Sequence, residues 1–252
     1  MRYLGLSTPL AVAHRGGGAE NLENSESAFR HAVGLGYRVI ETDVHATADG
    51  VLAISHDPQL SRTAASGAEI AQTDWATLST IRLRNGDRIL RLEELAEIVG
   101  DAVCLNIDPK SDAAVRPLIE FLQTRPDLAS RVCIGSFETK RLKAVRTAMP
   151  EVATSLGGTE IRALVVASRS RIKWPRRIPA VAAQVPEMAR GVRIITQQFV
   201  DYAHDIGLDV HVWTVNAEQD MHRLFDLGVD GLITDRPTTL REVLEARGQW
   251  RN

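Results

Sequence analysis

Cysteine is scarce, charge is balanced and no long apolar run occurs. Only Cys104 and Cys133 appear among 252 residues, too few for a disulfide framework. Each lies inside an apolar run, Val103-Cys104-Leu105 and Val132-Cys133-Ile134. Both are therefore expected as buried free thiols on neighbouring strands. No stretch approaches the roughly 18 apolar residues of a membrane-spanning helix. Met1 to Ala13 lacks a charged segment followed by an apolar run and a small-residue cleavage site, so a cytoplasmic location is expected. A net charge of −2 gives no global case for nucleic-acid or membrane binding. Internal repeats and low-complexity tracts are also missing.

What is present is a rhythm. The apolar runs are Leu10–Ala13, Arg38–Val44, Ala102–Ile107, Val132–Gly135, Val152–Leu156, Ala180–Val185, Asp209–Val215 and Gly231–Thr234. Rich in Val, Ile and Leu, they read as buried strands. Helical patterns lie between most of them, at Ser25–Leu35, Asp112–Thr124, Glu138–Ala148, Ile161–Ser168, Phe199–Ile206 and Ala217–Leu227. Eight strands alternating with helices predict an α/β fold, a (β/α)8 TIM barrel. Two regions break the rhythm. Val51–Ser55 reads as an extra strand pairing with the second one, and Pro58–Arg91 as an insertion on the catalytic face before a helix at Leu92–Val99. Arg169–Pro179 places five cationic residues around Trp174 and Pro175. It reads as a solvated loop or as a rim patch for anionic substrate or a membrane surface.

The chemistry concentrates near the N-terminus. Glu41 and Asp43 lie two apart on a strand and share one face, near the end where catalytic groups of such barrels collect. Two carboxylates in one small space call for a cation between them, and one divalent Mg²⁺ or Ca²⁺ suits oxygen ligands. On the third strand, Asp108 could add a carboxylate and Lys110 a phosphate contact; the alternative is a local salt bridge between them. His14 and Arg15 follow the first strand. Arg15 can grip two phosphate oxygens, and Gly16, Gly17 and Gly18 permit close backbone approach. His56 follows the extra strand beside Asp57, a carboxylate able to fix its tautomer. Two histidines across a phosphate supply a base and an acid.

The motifs His14-Arg15-Gly16, Glu23-Asn24-Ser25-x-x-Ala28-Phe29, Glu41-Thr42-Asp43-Val44, Thr47-x-Asp49-Gly50, His56-Asp57 and Arg62-Thr63 occur in that order. Later come Leu105-Asn106-Ile107-Asp108-Pro109-Lys110, Val212-Trp213-Thr214-Val215-Asn216 and Gly228 through Pro237. Together they resemble the glycerophosphodiester phosphodiesterase family. The resemblance spans nearly the whole chain. It implies a single TIM-barrel domain with a subdomain inserted at about 57–92, and hydrolysis of glycerophosphodiesters to glycerol 3-phosphate and an alcohol. It carries over His14 and His56 as the acid/base pair, and Glu41 and Asp43 as metal ligands. Arg15 and Lys110 come over as phosphate contacts, and Trp213 as the aromatic residue beside the pocket. Asp108 stands where many members have glutamate. Leu22 and Ser25 replace the usual Pro and Thr, and Thr196-Gln197-Gln198 falls where a basic residue is common. The rival expectations are a lysophospholipase D-like activity on lysophospholipids and a non-catalytic barrel that binds a phosphorylated ligand.

Overall fold

The computed structural model describes residues 5–170, 172, 174 and 180–251. Its strands are β1 (Leu10–Ala13), β2 (Val39–Ala46), β3 (Leu52–Ile54), β4 (Cys104–Pro109), β5 (Val132–Ile134), β6 (Ala153–Thr154), β7 (Ala182–Pro186), β8 (Met188–Ala189), β9 (Val192–Arg193), β10 (Asp209–Trp213) and β11 (Gly231–Thr234). Helices are α1 (Glu26–Gly34), α2 (Trp75–Leu78), α3 (Leu92–Val99), α4 (Asp112–Gln123), α5 (Pro126–Ala129), α6 (Thr139–Ala148), α7 (Gly158–Ser170), α8 (Gln197–Asp205), α9 (Glu218–Asp226) and α10 (Pro237–Ala246). Eight strands pair in parallel in the order β6-β5-β4-β2-β1-β11-β10-β7. A parallel bridge between Ser155 and Ala182 brings the two ends of that order together. The result is the expected (β/α)8 barrel, nearly closed.

Differences from the expected elements have local causes. β2 runs two residues past Val44 because β3 pairs antiparallel with Val44, His45 and Ala46, giving that extension a hydrogen-bonding partner. α10 stands outside the sequence-based expectations, although Pro237 at its first position is a known helix-start signal. Ser25 caps α1, its Oγ accepting from the Ala28 N–H at 3.2 Å, and Gly36 beyond the helix takes the left-handed φ of 82° that ends it. Most of the cationic stretch at 169–179 lies outside the described residues. Among the described residues, no helix is long and apolar enough to cross a membrane.

Three layers of apolar packing hold the barrel. Val12, Val39, Cys104, Cys133 and Ile233 form a small inner cluster, paired across neighbouring strands. Neither cysteine is in a disulfide and both are buried, as expected. Larger clusters lie between strands and helices, one including Phe29, Leu105 and Leu118, the other Phe199, Val212 and Leu224. Each fully buried side chain of this kind contributes roughly 1.5–3 kcal/mol. The segment after β3 packs on its own cluster of Leu60, Ile70, Leu78, Leu83 and Ile89.

One buried polar residue makes the fold sensitive to acid. His211 on β10 is 2% exposed, and a Cβ on the neighbouring Gly231 would come within 2.8 Å of its Cδ2. Burial pushes its imidazole down to about 4 from the ordinary 6.5. The unfolded chain therefore binds the extra proton, and stability falls as pH drops from 6.5 towards 4. The loss is about 3 kcal/mol. Urea unfolding of the parent and of His211→Gln at pH 7 and pH 4 checks this. An equal loss in both proteins would acquit His211.

Candidate active site

The site is built where the barrel strands end. After β1 the chain makes one 3-10 turn, His14–Gly16. Arg15 adopts a left-handed φ of 53° within it, a conformation that persists in a non-glycine residue only when its surroundings impose it. Here they do. The Arg15 N–H donates to Glu41 Oε2 at 3.0 Å, and its guanidinium meets Glu23 Oε1 at 3.0 Å and Asp43 Oδ2 at 3.1 Å. Gly16, at φ 79°, lies against α1, where an added Cβ would sit 2.9 Å from Ala28 Cβ and 3.0 Å from Phe29 Cδ1. Gly16→Ala is expected to cost about 2–3 kcal/mol through backbone strain and overpacking. Thermal unfolding measures it, and a change below ~0.5 kcal/mol would contradict the close packing.

β2 and β4 place the carboxylates in register. Glu41 pairs with Asn106 and Asp43 with Asp108, so these four side chains share the inward face at two successive levels. Lys110 Nζ bridges the upper level, 2.8 Å from Asp43 Oδ1 and 2.7 Å from Asp108 Oδ2. The local Asp108–Lys110 salt bridge is thus real, and it is shared with Asp43. Asn24, also at positive φ, donates to Asp43 Oδ2 at 2.9 Å and accepts from Thr42 Oγ1 at 2.9 Å. Burial would raise Asp43, but Lys110 and Arg15 outweigh it and hold its carboxyl below the usual range. Burial and the Asp43 charge drive Glu41 the other way, well above that range.

Each histidine is anchored by its own carboxylate. His14 Nδ1 lies 2.6 Å from Asp235 Oδ1, just after β11. His56 Nδ1 lies 2.7 Å from Asp57 Oδ1. With Nδ1 committed in both rings, Nε2 is the nitrogen free for proton transfer. His14 Nε2 faces Glu41 Oε2 at 3.8 Å. Burial alone would lower His14, but Glu41 and Asp235 prevail and raise it. Asp235 is fixed in turn by Asn216, whose Nδ2 donates to Asp235 Oδ2 at 3.0 Å and whose Oδ1 accepts the Asp235 N–H at 2.8 Å. Asp57 is held by Arg62 Nε at 2.6 Å, and Arg62 reaches on to Glu23 at 2.7 Å.

The donor set suits a hard divalent ion. Glu41, Asp43 and Asp108 offer only oxygens. Burial together with the Asp43 charge holds Glu41 above the usual range, a cost that an added cation would relieve. Among the described residues, no three acidic, histidine or cysteine side chains form a ready metal cluster. Lys110 and Arg15 engage Asp43, and Lys110 engages Asp108. A cation entering here competes with Lys110 for the same oxygens.

His14, Arg15, Glu41, His56, Asp108, Lys110 and Trp213 line one pocket together. Asp43 is fully buried behind Lys110 and Arg15 and is not part of the lining. The sequence assigns Asp235 no role, offers Asn24 only as a helix cap, and leaves Glu23 between a supporting and a structural role, although all three sit inside the family motifs. A carboxylate directly after a barrel strand was the available signal for Asp235. Phe137, 65% exposed, was also missed; it packs edge-on to Trp213 with ring centroids 5.4 Å apart.

A TIM barrel whose mouth joins two carboxylate-anchored histidines to paired cations and buried carboxylates has the make-up of a phosphoric diester hydrolase. Residues 14–239 match the model of the glycerophosphoryl diester phosphodiesterase family. The chain belongs to that family and is an enzyme of that class. It is 39% identical over 247 residues to a Mycobacterium tuberculosis protein named "Probable glycerophosphodiester phosphodiesterase 2", covering 96% of this chain and 92% of that one. It is 26% identical to the human lysophospholipase D GDPD1, over 92% and 85% of the two chains. The solved structure of an Oleispira antarctica phosphodiesterase, in complex with the product sn-glycerol-3-phosphate, superposes with a TM-score of 0.80. That match covers 94% of this chain and 97% of the other at 22% identity, and it speaks to the fold.

Proposed function

We propose that this protein hydrolyses glycerophosphodiesters to glycerol 3-phosphate and an alcohol, with His14 and His56 as the acid/base pair. The observation that carries the reading is the shared pocket of two imidazoles, each with Nδ1 on a carboxylate, beside Arg15 and Lys110. Arg15 and Lys110 neutralise the phosphate as negative charge builds in the transition state. One histidine takes the proton of the attacking hydroxyl, from water or from the neighbouring glycerol oxygen. The other protonates the departing alcohol. Trp213 flanks the alcohol groups. A divalent cation, Mg²⁺ or Ca²⁺, held by Glu41, Asp43 and Asp108, would supply Lewis-acid polarisation of a phosphate oxygen. The whole chain acts as one catalytic barrel, with the segment at about 57–92 as its inserted cap.

Glycerophosphocholine is the substrate to test. Release of glycerol 3-phosphate and choline is expected, and no turnover of any glycerophosphodiester would overturn the reading. Chelation should lower that turnover at least ~10-fold, with recovery on adding Mg²⁺ or Ca²⁺. Turnover indifferent to chelation would remove the cation and leave the histidine pair standing.

A second reading has its own support. Phe137, Trp213, Ile161 and Pro186 give the pocket an apolar wall, and a lysophospholipid carries an acyl chain that such a wall would take. The similarity to the human lysophospholipase D points the same way. Faster turnover of lysophosphatidylcholine than of glycerophosphocholine would favour it.

A further inference from the structure

The floor of the pocket holds a polar chain that the proposed chemistry does not use. Asn106 on β4 is 4% exposed and lines the pocket one level below Asp108. Its Nδ2 donates to Gln184 Oε1 at 3.3 Å. Gln184 Nε2 in turn lies 3.5 Å from Nδ1 of His211, which pairs with Gln184 across β7 and β10. The chain therefore runs from a buried imidazole through one amide to another. With His211 Nδ1 as the acceptor, it turns the NH2 end of Asn106 to Gln184 and leaves the other end over. That end is Oδ1, a buried acceptor with no hydrogen-bond partner. Gly135 keeps the space beside it open. A Cβ there would come within 3.1 Å of Gln184 Oε1 and 3.8 Å of Asn106 Oδ1.

A buried acceptor left unpaired costs about 1–3 kcal/mol, and native proteins rarely tolerate one without a ligand or water to satisfy it. Oδ1 of an amide can only accept. In glycerophosphocholine the free glycerol hydroxyls are the only donors, since neither the ionised phosphodiester nor the quaternary ammonium carries an N–H or O–H. Glu41 stands beside Asn106 on the neighbouring strand, and Asp43 and Asp108, bridged by Lys110, stand one level above. We propose that Asn106 Oδ1 accepts a hydrogen bond from a free hydroxyl of the substrate's glycerol moiety and is a specificity-determining residue for polyol diesters. This rests on the glycerophosphodiester reading above, and it adds a hydroxyl-selective contact on the pocket floor.

The test is a cycle of enzyme and substrate changes. Parent and Asn106→Leu are assayed on glycerophosphocholine and on its two analogues, each lacking one free glycerol hydroxyl. In the parent, one of the two deletions should lower kcat/KM by about 10- to 100-fold. In Asn106→Leu, glycerophosphocholine should fall by a similar factor, and the same deletion should then cost little more. Equal losses for all three substrates in the variant, or no loss on any, would overturn the proposal. Should Asn106→Leu fail to fold, inhibition of the parent decides. Glycerol 3-phosphate should inhibit about 10-fold or more better than propyl phosphate, and equal inhibition would count against Asn106. A parent with no activity on any glycerophosphodiester sinks the underlying reading. A parent with activity but no coupling sinks this inference alone.

Discussion

His14→Ala and His56→Ala are each expected to reduce turnover of glycerophosphocholine by about 10²–10⁴-fold, the range for losing a positioned acid or base. Neither ring carries the fold. His14 and His56 belong to the pocket wall, outside the apolar clusters, so both variants should unfold at close to the parent temperature. KM should move far less than kcat, because Arg15 and Lys110 remain to bind phosphate. The double variant should be little worse than either single one, since the two rings act on one proton-transfer sequence. Asp235→Asn supplies the finer control. It keeps the shape next to His14 Nδ1 but removes the charge that supports the imidazolium, so it should slow turnover less than His14→Ala. Full activity in either alanine variant would end the acid/base assignment.

Asp43→Ala should cost about 3–5 kcal/mol of stability, the usual penalty for removing one partner of a buried ion pair. The Asp43 side chain is 1% exposed, while those of Lys110 and Arg15 are 18% and 16% exposed. Removing the carboxylate leaves two mostly buried cations facing each other. It also strips Asn24 of the acceptor that steadies its left-handed backbone. Lys110 keeps Asp108, and Arg15 keeps Glu23, which limits the loss to that range. Urea unfolding measures it, and a variant within 1 kcal/mol of the parent would show the pair to be weakly coupled to the fold. Glu41→Ala makes the contrast. Glu41 is a carboxylate raised by burial and by Asp43, so its removal relieves that cost but takes the acceptor from the Arg15 N–H. It should cost less stability than Asp43→Ala while depriving the proposed cation of a ligand. Stability and cation requirement should therefore separate between the two positions.

Much of this arrangement was legible from residue order. Alternation of apolar runs and helical patterns is a local property, so the barrel followed from it. Strand parity put Glu41 and Asp43 on one face, and the β2–β4 register bears that out. The extra strand before His56 was legible too, because Asp49-Gly50 is a local turn signal. What pairing would follow was not. Asp43 is flanked by Lys110, Arg15 and Asn24, groups brought in from three separate stretches of chain. Asp235 reaches His14 across 221 residues, and no spacing rule spans such a separation.

The sequence by itself determined the fold class, the family and the set of reactive groups, because these depend on period, order and residue type. Only the tertiary structure decided which charges neutralise one another, which nitrogen of each histidine is free, and that one acceptor on the pocket floor stands unpaired. Apart from the local His56–Asp57 and Asp108–Lys110 contacts, those outcomes depend on distances of about 3 Å between residues far apart in the chain, which barrel closure sets.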